Sequence, residues 1–212
     1  MTPGPVDPVE AVDPVEAVVR AEVRLDGAAD TQAWAGRLAG LLHAGDVLIL
    51  TGELGAGKTT FTQGLGAGLG VREGIISPTF VLSRIHPSER AEGDPGAVDL
   101  VHVDAYRLGS AGELLDLDLD ATLDRSVTVV EWGRGMAEAL AGWPEDPDAS
   151  WLDIELVRAV GAAPGDVTGG GAGPSSGIIT DFSEDEDGTD EVRTAVVTGY
   201  GPRWAGVDLG GK

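Results

Sequence analysis

Gly52-Glu53-Leu54-Gly55-Ala56-Gly57-Lys58-Thr59-Thr60 is the stretch that decides the fold. Gly52, Gly57, Lys58 and Thr59 satisfy the spacing G-x-x-x-x-G-K-[ST] of a phosphate-binding loop. The apolar, β-prone run Val47-Leu48-Ile49-Leu50 precedes it, and Thr60 to Leu65 follows with residues that can open a helix. Strand, glycine loop and helix together turn successive backbone N–H groups toward one anion, with the positive end of the helix dipole behind them. Glu53 to Thr60 therefore line a nucleotide. Gly55 and Gly57 allow close backbone approach, Lys58 reaches the β- and γ-phosphates, and the Thr59 hydroxyl ligates Mg²⁺. A chain with 33 glycines makes glycine-rich strings by accident, but only two lysines occur in it, Lys58 and Lys212. One of them falls on the motif position.

Outward from the loop, the pattern alternates strands and helices. A strand is expected at Ala21–Leu25. A helix follows, capped by Asp30 or Thr31, with Trp34, Leu38, Leu41 and Leu42 on one apolar face. The helix after the loop carries Gly64, Gly66, Gly68 and Gly70, which close packing on the sheet or compositional drift would explain. Further strands are expected at Phe80–Ile85, Val98–Val103, Ser126–Val130 and Trp151–Val157. Helical stretches lie between them, at Glu113–Asp124 and Met136–Leu140. This reads as one α/β domain over residues 20–158, a P-loop NTPase-like fold with a largely parallel central sheet flanked by helices. Residues 1–19, with VDPVEA written twice (Val6–Ala11 and Val12–Ala17), read as a disordered leader. Residues 159–212, rich in Gly, Pro, Ser and acids, read as a disordered acidic tail.

Bulk numbers narrow the partners. Net charge is −22, so the chain alone is a poor match for nucleic-acid phosphates. Cysteine is absent, which excludes a disulfide framework and a thiolate metal site. His43, His86 and His102 are scattered and suggest no ligand cluster. No signal peptide and no run of about 20 apolar residues is seen, so a cytoplasmic protein without membrane contact is expected.

A hydrolysing site needs carboxylates beside the metal, at the ends of neighbouring strands. Asp104 follows Leu100-Val101-His102-Val103, and Glu131 follows Val127-Thr128-Val129-Val130. Asp104 is read as the acid touching Mg²⁺ directly or through water, and Glu131 as the group that orients or deprotonates the attacking water. The sequence does not fix which acid does which, so Thr59, Asp104 and Glu131 stand together as metal candidates. Lys58, Asp104 and Glu131 are the catalytic candidates. Thr79 is either a switch threonine near the γ-phosphate or part of a Ser-Pro-Thr turn. Trp132 packs on the nucleotide, on a partner or in the core. Arg84 and Arg107 are candidates for stabilising transition-state charge, with surface arginines as the default reading. No N-K-x-D-like guanine-reading motif occurs, which favours ATP over GTP, and no stretch is long enough for a kinase lid.

Five stretches carry a family resemblance: Gly45–Leu65, Ser77–Phe80 (SPTF), His102–Leu108 (HVDAYRL), Glu113–Asp120 and Val130–Trp132 (VEW). In order and spacing, over roughly Asp30 to Val157, the chain resembles the TsaE family. The resemblance implies an ATPase needed for threonylcarbamoyladenosine formation on tRNA, at the adenosine next to the anticodon. It implies two partners, the threonylcarbamoyl transferase subunit and its paralogue, with tRNA reached only through them. Residue by residue it implies Lys58 and Thr59 as phosphate and Mg²⁺ ligands, Asp104 as the metal-side acid, Glu131 as needed for hydrolysis and Thr79 as the switch threonine. Many members place an acid two residues after the EW pair, where this chain has Arg134. The rival readings are a nucleotide-dependent binding module without turnover and a small-molecule kinase.

Overall fold

The structure, a computed structural model, describes residues 15–72, 74–91, 94, 97–158 and 191–211. Its centre is β2 (Val47–Gly52), whose first four residues are almost wholly buried. They are apolar because helices cover both faces of the sheet there, as parallel strands require. β5 (Ser126–Glu131) and β6 (Trp151–Arg158) flank β2, both parallel to it, and β4 (Asp99–Asp104) runs parallel to β5. Antiparallel strands finish the two edges: β3 (Ser83–His86) on β4, β7 (Arg193–Tyr200) on β6, and β1 (Ala17–Leu25) on β7. The order across the sheet is β1-β7-β6-β2-β5-β4-β3.

α1 (Ala28–Ala39) and α2 (Lys58–Leu69) cover one face, where Trp34, Leu38, Phe61 and Leu65 pack on Leu48, Leu50, Val129 and Ile154. The Trp34 and Phe61 rings lie 5.5 Å apart. On the other face, α3 (Ala111–Leu115), α4 (Asp120–Leu123) and a 3₁₀ turn at Ala137–Ala141 cover Ile49, Val101, Val103 and Val130. The α2 glycines are packing residues. A Cβ at Gly64 would run into the backbone of Gln32, and one at Gly68 would lie 2.6 Å from the Ala39 Cβ. The close partner at these two positions is α1, not the sheet. Overpacking of this kind costs about 1–3 kcal/mol.

Several local expectations shift. α1 begins at Ala28 behind Gly27, and the Thr31 hydroxyl bonds back to the Gly27 carbonyl instead of capping. Leu41 falls beyond the end of α1 and is exposed. Phe80 sits in a turn before β3 and is exposed. The acidic stretch Glu113–Asp124 splits into α3 and α4, with the Ser110 hydroxyl accepting the Glu113 N–H at the first cap.

The largest correction concerns the two ends. Residues 193–209 belong to the domain and are not a disordered tail. β7 is paired on both sides and buries Arg193, Ala195, Val197 and Gly199 by strict alternation. Beyond it a 3₁₀ turn at Pro202–Trp204 buries Trp204 completely, and the Leu209 carbonyl accepts the Trp34 indole N–H at 3.4 Å. β1 starts at Ala17, inside the expected leader. Burial along β7 has the period of two of a strand, but Arg193-Thr194-Ala195-Val196-Val197 does not alternate in polarity, so the sequence hides it. The remaining leader and tail residues, 1–14, 159–190 and 212, lie outside the described residues. Among those described, no helix is long and apolar enough to cross a membrane.

Candidate nucleotide-binding site

β2 ends at Gly52, which lies so close to β6 that a Cβ would approach the Leu156 carbonyl oxygen to 2.7 Å. The chain then turns through Gly55 (φ 77°) and Gly57 (φ 98°), left-handed conformations that favour glycine. Gly57 is the N-cap of α2, and the Phe61 N–H bonds to its carbonyl at 2.8 Å. Glu53, Leu54 and Gly55 are exposed at the tip, Ala56 is buried beneath it, and Thr59 and Thr60 are half-buried in the first turn of α2.

Lys58 folds back over the loop. Its Nζ donates to the Gly52 and Glu53 carbonyls at 3.0 and 3.1 Å and lies 4.1 Å from the centre of the Trp132 ring. Burial lowers the Lys58 pKa, while the charges of Glu131 and Asp104 pull it back up. Among the described residues it forms no ion pair with either acid. Trp132 takes φ 62°, held there in part by a 3.0 Å bond from its N–H to the Leu50 carbonyl. The Tyr106 ring meets it edge-on at 5.6 Å.

Asp104 and Glu131 stand opposite each other in the β4–β5 register, and Glu131 stands opposite Leu50 in the β2–β5 register. Both acids are buried at the sheet edge from which the loop leaves. Alternation along β4 and β5 puts Asp104 with Leu100, and Glu131 with Val127 and Val129, on the face that α1 and α2 cover. The Asp104 Oδ1 accepts the Tyr106 N–H at 3.0 Å. The Glu131 Oε1 lies 2.8 Å from the His102 Nε2. Thr79 sits in the turn before β3, its hydroxyl 2.8 Å from that of Ser77. That turn abuts Asp104, whose N–H bonds to the Leu82 carbonyl. Arg84 is exposed on β3, and Arg107 lies over the Phe80 ring at 5.4 Å.

Three participants escape a reading of the sequence. His102 looked like one of three scattered histidines, yet it is fully buried against Glu131. Its place two residues before Asp104 was the available signal. Arg158 and Arg193 face each other across β6 and β7 and reach the outer side of the loop. A side chain at Gly57 would meet the Arg193 Nε at 3.3 Å, and one at Gly55 would meet Arg158 at 3.6 Å. Arg158 also bonds Glu191 at 2.8 Å. Arg134 clamps Asp153 with two bonds of 2.8 and 2.6 Å, which raise its pKa.

The arrangement is Lys58 and two paired carboxylates beside a left-handed glycine turn at a helix N-terminus, with Arg158 and Arg193 on the loop's outer side. No group of three or more His, Asp or Glu among the described residues forms a metal cage. A phosphate-shared divalent ion asks for no such cage, because Mg²⁺ keeps waters and takes few carboxylates.

The family model described as threonylcarbamoyl adenosine biosynthesis protein TsaE matches residues 25–160. The chain belongs to the TsaE family. A Streptomyces coelicolor protein titled tRNA threonylcarbamoyladenosine biosynthesis protein TsaE is 49% identical over 174 residues, covering 82% of this chain and 93% of that one. A Mycobacterium leprae protein with the same title is 44% identical over 135 residues, covering 61% and 77%. The crystal structure of Bacillus subtilis YdiB superposes with a TM-score of 0.55 at 26% identity, over 89% of this chain and 91% of that one. The family's role lies in tRNA threonylcarbamoyladenosine biosynthesis.

Proposed function

We propose that this chain binds Mg-ATP at Glu53–Thr60 and hydrolyses it in support of threonylcarbamoyladenosine formation on tRNA, at the adenosine next to the anticodon. The observation that carries the reading is the Asp104–Glu131 pair, opposite each other in register and facing the Lys58 end of α2. In this reading the loop N–H groups and Lys58 hold the phosphates, and Thr59 with Asp104 holds the metal. Bound Mg²⁺ supplies charge neutralisation on the phosphate oxygens. Glu131 orients the attacking water, with its second oxygen making no hydrogen bond among the described residues. Trp132, already stacked on Lys58, stays against that ammonium as it turns from the loop carbonyls to phosphate. Thr79, in the turn tied to Asp104, closes the metal side.

The partners are the threonylcarbamoyl transferase subunit and its paralogue, and tRNA is reached through them. Exposed Leu54, Phe80, Val81 and Tyr106 lie in the loop tip and the two turns beside the acids, and an apolar partner surface fits them. Location in the cytoplasm is part of the same proposal.

The test is phosphate release by the full chain with and without the two partners, beside equilibrium binding of a fluorescent ATP analogue. Glu131→Gln should bind within about threefold of the parent and lose hydrolysis by about a hundredfold or more. Lys58→Ala should lose binding, with unchanged circular dichroism. Binding without phosphate release in the parent, partners present, would sink hydrolysis in favour of a binding module.

A further inference from the structure

We infer that His102 is a positioning residue that holds the Glu131 carboxylate in its working orientation and keeps it off Lys58; this rests on the hydrolysis reading above. β4 and β5 are adjacent and parallel, with His102 paired to Val129. Glu131 lies two residues farther toward the loop on the same face, so the two side chains meet diagonally. The contact is 2.8 Å, with His102 at 0% and Glu131 at 4% side-chain exposure. A carboxylate oxygen accepts, so the ring meets it through Nε2–H and turns Nδ1 away from Glu131.

That second nitrogen is informative. Nδ1 of His102 is buried with no hydrogen-bond partner. Burying an unsatisfied polar atom costs about 1–3 kcal/mol. On that face Leu100 and Val129 are apolar and fully buried, and the His86 ring lies 6.5 Å away. Among the described residues, the His102 side chain hydrogen-bonds one oxygen of Glu131 and no other group.

Lys58 supplies the reason for a tether. Its ammonium feels Glu131 and Asp104, yet it rests on the Gly52 and Glu53 carbonyls and the Trp132 ring. An untethered carboxylate facing a half-desolvated ammonium closes onto it, because Coulomb attraction strengthens as water is excluded. The collapsed pair would occupy both groups that the phosphates and water need. His102 holds the acid from behind, the loop carbonyls and Trp132 hold the lysine, and the gap between them stays open.

Three variants separate positioning from mere packing: His102→Ala, His102→Gln and Glu131→Gln. Gln can present an amide N–H near the place of Nε2. Steady-state hydrolysis with partners, ATP-analogue binding and melting temperature are measured on each full-length chain. His102→Ala should lower kcat about tenfold to a hundredfold, with KM and analogue Kd within about twofold. His102→Gln should recover most of that loss. Equal falls in kcat and affinity, or a His102→Gln that folds and is as poor as His102→Ala, would mean a packing role and overturn the inference.

Imidazole ¹⁵N spectroscopy of the wild-type chain gives a readout independent of turnover. It should show His102 as the Nε2–H tautomer, with its resonances displaced in Glu131→Gln. An Nδ1–H tautomer overturns the inference even if His102→Ala does not fold. If the wild type hydrolyses no ATP, the proposed function fails by itself, while the tautomer still decides the contact.

Discussion

His86 shows what one buried side chain does to stability. It sits on β3 with its Nε2 buried and unpartnered, its ring 6.5 Å from that of His102. Burial, then the neighbouring His102 and Arg84, hold its pKa below the usual 6.5. The unfolded chain therefore takes up this proton at a higher pH than the folded one. Below about pH 6.5 the unfolded state binds more protons, so stability falls as pH drops toward and through the folded pKa. Melting temperature measured from pH 7.5 to 5 should decline, and His86→Gln should flatten that decline. Parallel slopes would exclude His86 as the cause. At this scale the sequence was informative where spacing alone sets geometry. Gly57, Lys58 and Thr59 are fixed by the motif, and Asp104 and Glu131 by their places at strand ends. His102 was missed because its meaning lies in a cross-strand diagonal, which appears only when β4 and β5 are laid in register.

At the scale of elements, the central strands were legible because β2, β4 and β5 are buried on both faces and read as mostly apolar runs, interrupted by His102 in β4 and Thr128 in β5. β7 was not, since its eight residues alternate in burial but not in polarity, and they stand within a long polar, glycine-rich context. Its energetic weight is large. β1 pairs only with β7, so losing β7 also strips β1 from the sheet. Truncation before Gly161 removes Trp204, Ala195, Val197 and Leu209 from the core. A buried Trp alone is worth about 3–5 kcal/mol, against a total stability of about 5–15 kcal/mol. The truncated chain should melt at least 10 °C lower by differential scanning fluorimetry, at about 2–4 °C per kcal/mol for this size. It should also bind the ATP analogue more weakly, because Arg193 braces Gly57. An unchanged melting temperature would show that β7 contributes little to the fold.

For the molecule as a whole, the charge of −22 decides what it touches. A surface with that excess of acid repels a polyanion, and association through phosphates would need basic contacts in numbers this chain lacks. Membership in a tRNA-modification family thus points to RNA contact supplied by other subunits. The same self-repulsion strains the folded state. Raising ionic strength from about 10 to 150 mM shortens the Debye length from about 30 to 8 Å, which screens repulsion between distant acids more than the short Arg134–Asp153 and Arg203–Asp46 pairs. Two outcomes follow from one cause. The isolated chain should leave tRNA unshifted in a native gel at 50 mM salt, and its melting temperature should rise between 10 and 150 mM NaCl. A shift of free tRNA by the chain alone would show a local basic surface strong enough to outweigh the net charge. A melting temperature that falls with salt would show that attractive pairs, not acid repulsion, dominate the electrostatics of the fold.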